Sequence, residues 1–437
     1  MAYRLRLLSR RCQQLIITTR KWGSVSCNPN PYHVKWNTKG NSSLFCQHGL
    51  KVRWASHSTI GQCSDAWTME VKDDHLLLNL EAVDLKFPYF WLRDNCRCSD
   101  CFHPQTHQVM HEFTDLDLHI RPADVNTVGD EVHITWNDNH KSSFTTQWLQ
   151  KHAPGTRENM KTPSSILRVL WQGSTLGELP TFPLSELESE GGALRSLFRM
   201  LDQYGLALIE GVSTSTEAME SLAFTIAGGI ESTFYSQGVT VMNANLEIAD
   251  TGYTNIALPL HTDTTYFSTP CRAMMIHITK RDGQGGQTIL SDGFFALERL
   301  RQSKPEYFDI LCNTKLICQY VGENRNIRAT GPVIKLNPDT NQVECLRFNP
   351  LDRAVISHLP YHQMLDFYKA YQALARELYK KEHSLTIQLN PGQVLLFDNW
   401  RVLHGRKSFT GNRVFKSAYL RKDDWMSQMR TVGGLNV

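Results

Sequence analysis

From Trp67 onward the chain breaks into short runs in which apolar and polar residues alternate, or in which apolar residues cluster between turn-forming ones. Leu76–Leu80, Phe87–Leu92, Val132–Trp136 and Phe144–Leu149 are the first of these. Such runs mark strands and predict a small β-rich unit. Lys151–Pro163 is polar, carries Pro and Gly, and reads as a linker, placing a boundary near residue 165. Beyond it, Ala193–Tyr204 and Thr216–Ala227 space their apolar residues as helices do. Gly205–Ile209 between them reads as a buried strand. Ile230–Ala257 has no period and reads as a long loop region, the kind of segment that carries function. Strands are predicted at Ala273–Thr279, Thr288–Leu290, Val333–Leu336 and Val343–Phe348. Tyr361–Lys381 is a helix with Met364, Phe367, Tyr371, Leu374 and Leu378 on one face. Leu385–Leu389 and Val394–Asp398 flank the turn Asn390-Pro391-Gly392, and Val402–His404 and Val414–Leu420 follow. The sum is a mainly β fold with supporting helices, a sandwich or barrel.

A length of 437 residues suggests two or three domains. Hydrophobic content of 41% and charged content of 20% supply ample core. The net charge of +3 gives no reason to expect nucleic acid as a partner. No apolar run reaches the roughly 18 residues of a membrane-spanning helix. The charge is uneven: residues 1–64 contain no Asp or Glu but hold Arg4, Arg6, Arg10, Arg11, Arg20, Lys21, Lys35, Lys39, Lys51 and Arg53. Up to Trp22 the arginines are interleaved with Leu5, Leu7, Leu8, Leu15, Ile16 and Ile17, the composition of a mitochondrial transit peptide. A basic tail without a targeting role is the alternative. The expected organisation is a presequence and unstructured segment at 1–64, a small β-rich domain at 65–164 and a larger β domain at 165–437.

The chemistry begins at His261-Thr262-Asp263. On an extended strand, positions two apart share a face, so His261 and Asp263 point at one place. His404 follows a second apolar strand and supplies another imidazole. Two histidines and one carboxylate make the facial triad of non-haem Fe(II) oxygenases, which leaves the opposite face open to a chelating 2-oxo acid and O2. Such a co-substrate needs a cation for its distal carboxylate. Arg413, nine residues after His404, offers a bidentate guanidinium, and Thr288 a hydroxyl. A second metal-capable set is Cys96, Cys98 and Cys101 with His140, a Cys3His combination suited to structural zinc. Reduced structural cysteines beside a surface histidine are the alternative.

The stretches His261–Phe267, Gly285–Thr288, Asp292–Phe294, Asp398–Arg406 and Tyr419–Asp424 resemble, in order and spacing, the γ-butyrobetaine and trimethyllysine dioxygenases, Fe(II)/2-oxoglutarate hydroxylases of carnitine biosynthesis. The resemblance runs from about Phe87 to near the C-terminus and is strongest to the trimethyllysine branch. It implies a double-stranded β-helix (jelly roll) behind a small zinc-binding domain. It implies iron on His261, Asp263 and His404, 2-oxoglutarate on Arg413, and zinc on Cys96, Cys98, Cys101 and His140. The implied reaction is hydroxylation of N6,N6,N6-trimethyllysine at C-3, with succinate and CO2 as co-products, ascorbate as reductant and a homodimer as the assembly. For the trimethylammonium group the resemblance implies an aromatic cage, with Tyr235, Tyr253 and Tyr419 at matching positions and Val239 where the family has Trp. Asp250 matches an acidic position of the trimethyllysine branch, suited to an α-ammonium, and Asn349 matches a substrate-binding Asn. Two other readings stay open. The complete cysteine set leans towards γ-butyrobetaine as substrate, and a barrel that merely binds a quaternary ammonium compound is the non-catalytic rival.

Overall fold

The computed structural model describes residues 67–80, 83–155, 167–189, 192–244 and 250–435. The expected presequence and residues 156–163 of the expected linker lie outside them. No helix among the described residues is long and apolar enough to cross a membrane.

Residues 67–155 form two small antiparallel meanders. One runs through Trp67–Val71, His75–Leu80 and Val83–Pro88, the other through Pro122–Val128, Glu131–Trp136 and Lys141–Thr145. They share a core of their own in which Leu76, Phe87, Tyr89, Trp136 and Leu149 are almost fully buried. Two predicted strands are cut short. Phe87–Leu92 is strand only to Pro88 and then becomes the helix Tyr89–Asp94. Tyr89 and Leu92 are buried three residues apart, a spacing that a helix satisfies as readily as the alternating pattern suggested a strand. Phe144–Leu149 switches at Thr145, whose hydroxyl accepts from the Trp148 amide and caps the helix Thr146–His152.

The remainder is built on two antiparallel sheets. The larger has the order Thr240–Met242, Arg413–Leu420, Ala273–Arg281, Gln393–Asp398, Leu206–Glu210, Thr181–Pro183, and only its last pair is parallel. The smaller runs Leu258–His261, Val402–Arg406, Thr288–Asp292, Ser384–Ile387. Alternation assigns the faces. Ala207, Ile209, Met275, Leu396 and Ala418 of the larger sheet pack against the helices Gly192–Tyr204, Thr216–Ala227 and Lys422–Thr431. Leu206, Leu208, Met274, Ile276, Leu395, Phe397 and Tyr419 point the other way, onto Leu290 and Val402 of the smaller sheet. The outer side of the smaller sheet is covered by Gly293–Ser303, Pro305–Asn313 and Tyr361–Leu378, together with the hairpin Lys315–Gly322/Arg325–Pro332. The two shorter helices and the hairpin were not assigned from the sequence pattern.

One buried ion pair ties these layers together. Arg401 donates to both oxygens of Asp292 at 3.1 and 2.8 Å, and to the carbonyls of Gln203 and Val169. Asp292 also caps the helix that follows it by accepting from the Phe294 amide. Both partners are nearly inaccessible to solvent, so the pair is satisfied by geometry and additional hydrogen bonds, as a buried pair must be.

Candidate active site

The two histidines are positioned by one strand pair. His261 ends the strand Leu258–His261 and lies directly opposite His404 on Val402–Arg406, with ring centroids 4.4 Å apart. Asp263 is not on that strand. It sits in the turn just beyond, where Thr264 takes a left-handed φ of 57°. Asn399 sets the turn: its carbonyl oxygen accepts from the Asp263 amide at 2.8 Å, and its NH2 donates to the carbonyls of Asp263 and Cys271. The carboxylate is thereby brought within 3.1 Å of His261 Nε2 and 3.6 Å of His404 Nε2, both to Oδ1. Ligands at right angles on one ion, each about 2.1 Å from it, stand roughly 3 Å apart, so the three atoms fit a single cation. His261 Nδ1 donates to the Pro259 carbonyl at 2.8 Å, which leaves Nε2 as the ligating nitrogen. Tyr419 donates to Asp263 Oδ2 at 2.7 Å.

The electrostatics of the trio follow from burial. Burial favours the neutral His261 ring, but the adjacent Asp263 carboxylate outweighs it and lifts the group to about 9. Burial pushes His404 down to about 4. Burial would raise Asp263, yet His404, His261 and the Tyr419 hydroxyl hold it far below the usual carboxylate range. A buried carboxylate facing two imidazole nitrogens is a ready cation site, and its binding displaces the proton from His261.

One cavity, with about 830 Å³ of empty space including its mouth, joins this trio to the other predicted residues. Thr288, Arg413, Tyr235, Asp250, Asn349 and Tyr419 all line it. At one end Arg413 opens its strand and is 6% exposed. It forms no ion pair among the described residues, and its Nε has no partner. Burial, with Arg406 and Arg281 nearby, lowers it to about 10, so it remains a desolvated cation in want of an anion. Gly286 lets it lie flat: a Cβ there would stand 3.2 Å from Arg413 Cδ. Elsewhere on the wall Asp250 accepts from the Gly252 amide through Oδ1 and from the Tyr235 hydroxyl through Oδ2, at 2.7 and 2.6 Å. It is therefore a turn cap and a cavity wall at once.

Tyr253 is buried and is not on the cavity wall. Val239 packs into the core behind the larger sheet, beside Ala418 and Leu420, and does not line the cavity. Sequence reasoning missed four contributors. Tyr266 lines the cavity and shares a hydrogen bond with Tyr235. Asp352 lines it and accepts from Thr265 and Asn349. Arg406 donates to the carbonyls of Gly252, Thr254 and Ile256, stapling the Asp250 loop to the His404 strand. Asn399 orients Asp263. Arg406 and Asn399 stood inside a motif already singled out, where an Arg and an Asn beside a ligand histidine were the available signal.

In the N-terminal unit, Cys96, Cys98, Cys101 and His140 converge. Their sulfur atoms lie 3.3, 3.6 and 3.5 Å from His140 Nε2.

A two-histidine, one-carboxylate face at the floor of a cavity that also holds a buried arginine defines a non-haem iron, 2-oxoglutarate-dependent dioxygenase. The comparisons agree. Residues 172–419 match the taurine catabolism dioxygenase TauD, TfdA family, and residues 68–150 match the γ-butyrobetaine hydroxylase-like N-terminal family. The mitochondrial trimethyllysine dioxygenase of Rattus norvegicus is 36% identical over 402 residues, 90% of this chain and 92% of that one. The human protein of the same name is 34% identical, over 88% of this chain and 91% of that one, and the trimethyllysine dioxygenase of Neurospora crassa 29%, over 78% and 80%. The chain belongs to the trimethyllysine dioxygenase family within the TauD/TfdA dioxygenases.

Proposed function

We propose that the protein hydroxylates N6,N6,N6-trimethyllysine at C-3, consuming 2-oxoglutarate and O2 and releasing succinate and CO2, as the first step of carnitine biosynthesis in the mitochondrion. The observation that carries this is the coincidence of the iron-type trio, the unpaired Arg413 and a tyrosine–carboxylate wall in one cavity, in a chain related over most of its length to mitochondrial trimethyllysine dioxygenases. The two-sheet core is read as a double-stranded β-helix.

Iron(II), when bound, supplies oxygen activation coupled to 2-oxoglutarate decarboxylation, with ascorbate keeping it reduced. The chain's own residues do the rest. His261 Nε2, Asp263 Oδ1 and His404 Nε2 hold the ion. Arg413 receives the distal carboxylate of 2-oxoglutarate bidentately, with the Thr288 hydroxyl beside it. Tyr235 and Tyr419 present aromatic faces to the trimethylammonium group, which has no hydrogen to donate. Tyr235 donates its hydroxyl to Asp250, which enriches the ring and strengthens that attraction. Tyr253 is tied to this wall through its amide, which donates to the Asp250 carbonyl, and Asn349 binds the amino-acid end. Fixing the substrate carbon near the ion, and excluding bulk water, is the protein's contribution to rate.

Structural zinc on Cys96, Cys98, Cys101 and His140 belongs to the same reading. A tetrahedral ion with bonds of about 2.3 Å to sulfur and about 2.0 Å to nitrogen separates the two atom types by roughly 3.5 Å, which is the spacing present. Burial pushes the Cys101 thiol up to about 12, a penalty that a coordinating cation removes. Four protein ligands leave no open position, so the site is structural. A second substrate reading, γ-butyrobetaine, is favoured by the match of residues 68–150. Turnover decides it. Purified protein with Fe(II), ascorbate and 2-oxoglutarate is expected to release succinate with trimethyllysine and yield its hydroxylated product by mass spectrometry. Turnover of γ-butyrobetaine alone would overturn the proposal. Light scattering tests the homodimer.

A further inference from the structure

We infer that Asp352, held by Asn349 and Thr265, is a specificity-determining residue that receives the α-ammonium group of the substrate. The inference rests on trimethyllysine being the substrate and extends that reading by a residue not assigned to it above. Asp352 lies on the cavity wall. Its Oδ2 accepts from Thr265 Oγ1 at 3.0 Å and Asn349 Nδ2 at 2.8 Å. No Lys, Arg or His nitrogen comes within ion-pair distance of it among the described residues. The nearby cations are engaged elsewhere. Arg353 lies over the rings of Tyr368 and Tyr371, and Arg347 donates to the Thr265 carbonyl. The backbone around Asp352 is pinned to the neighbouring hairpin, because its carbonyl accepts from the Gln319 amide and Ala354 donates to Ile317. The carboxylate is thus preorganised and half-buried, and lacks a counter-charge, a state that a cationic ligand relieves.

A charge count across the cavity points the same way. Three carboxylates line it, Asp250, Asp263 and Asp352, with Arg406 and Arg413. Asp263 serves the metal, Arg413 serves 2-oxoglutarate, and Arg406 is committed to three backbone carbonyls. Asp250 and Asp352 remain. Trimethyllysine carries two cations, one quaternary and one primary. Asp250, which the resemblance suits to an α-ammonium, already accepts through both oxygens, from the Gly252 amide and from the hydroxyl of the cage residue Tyr235, and we assign it to the quaternary side instead. Asp352 is bonded to Asn349 and so neighbours the amino-acid end. γ-Butyrobetaine has a single cation and would leave one carboxylate unmatched while bringing its own, so the same residue selects against it.

The test compares trimethyllysine with its des-amino analogue. Wild-type enzyme is expected to show a much lower KM for trimethyllysine than for the analogue. In Asp352→Asn that ratio of KM values should collapse by about ten-fold or more, the loss typical of a charge-assisted hydrogen bond. Thr265→Val removes one of the bonds that aim the carboxylate and should shift the ratio in the same direction by less, which keeps the idea testable if Asp352→Asn does not fold. An unchanged ratio in both variants, or an equal rise in KM for both compounds, overturns the role of Asp352. Failure of the wild-type enzyme to turn over trimethyllysine at all would instead overturn the substrate reading.

Discussion

Replacing Tyr419 by Phe removes one oxygen atom and separates the two roles proposed for this residue. The ring stays available as a cage face. The hydroxyl that donates to Asp263 Oδ2 at 2.7 Å is lost. Both imidazoles approach the other oxygen, Oδ1, so the phenol supplies the side-chain hydrogen bond to Oδ2. Burial and the Asp263 carboxylate push the Tyr419 hydroxyl well above its ordinary value, so it is a permanent donor at any working pH. A hydrogen bond to a buried charge contributes about 1.5–3 kcal/mol, and loss of such an outer partner of a metal ligand costs about 10–100-fold in metal affinity. Tyr419→Phe is therefore expected to weaken Mn(II) or anaerobic Fe(II) binding by about 10–100-fold, measured by competition with a chelator of known affinity, while KM for trimethyllysine at saturating metal moves little. Metal affinity within about twofold of wild type would refute the reasoning. It would mean that Asp263 is oriented by Asn399 alone and that Tyr419 serves only the substrate.

Arg413→Gln is expected to raise KM for 2-oxoglutarate by roughly 100-fold, with Arg413→Lys recovering only part because an ammonium lacks the bidentate fork; initial rates at varied 2-oxoglutarate check this. Cys98→Ser should lower bound zinc below one per chain by elemental analysis and reduce the melting temperature, leaving the register of the iron-site strands untouched. The pH dependence of the substrate-free protein should carry Asp352's mark. Burial pushes its carboxyl up to about 7 from an ordinary 3.8, so the folded state holds a proton that the unfolded state releases. Stability contributed by that proton is present below about 4 and is lost as pH rises towards about 7. Melting curves should show that decline in wild type and a weaker one in Asp352→Asn, with added trimethyllysine restoring the wild-type protein at the upper end.

Much of the larger domain was legible because its strands are apolar on both faces. Gln393–Asp398 and Val402–Arg406 are buried almost throughout, and a short apolar stretch of strand length between turn residues favours a buried strand. The helix Thr216–Ala227 was legible from the spacing of its apolar residues, and the structure shows its ends fixed by the Ser215 cap and by Gly228 in the left-handed conformation. Phe87–Leu92 and Phe144–Leu149 failed where a strand hands over to a helix in mid-run, since a few residues of apolar spacing fit both periods. His261, Asp263 and His404 converge although the strand argument for Asp263 does not hold. The turn that carries it is set by Asn399, a contact spanning 136 residues that no local pattern announces. Asp352 was invisible for the same reason. An Asp after Asn-Pro-Leu reads as a turn residue, and only the tertiary fold brings it to the cavity.

The direct pairing of His261 with His404 has a consequence for how such an enzyme changes over time. Both imidazoles of the proposed iron site depend on one backbone register, so a one-residue insertion in either strand would turn one of them away and abolish chemistry at a stroke. The proposed substrate wall draws largely on loop segments, Tyr235, Asp250–Gly252 and Asn349–Asp352, with Tyr419 added from a strand. Mutational drift in those loops leaves the oxidising centre intact. The wall can therefore change by substitution in its connecting segments without disturbing the register that aligns the two imidazoles.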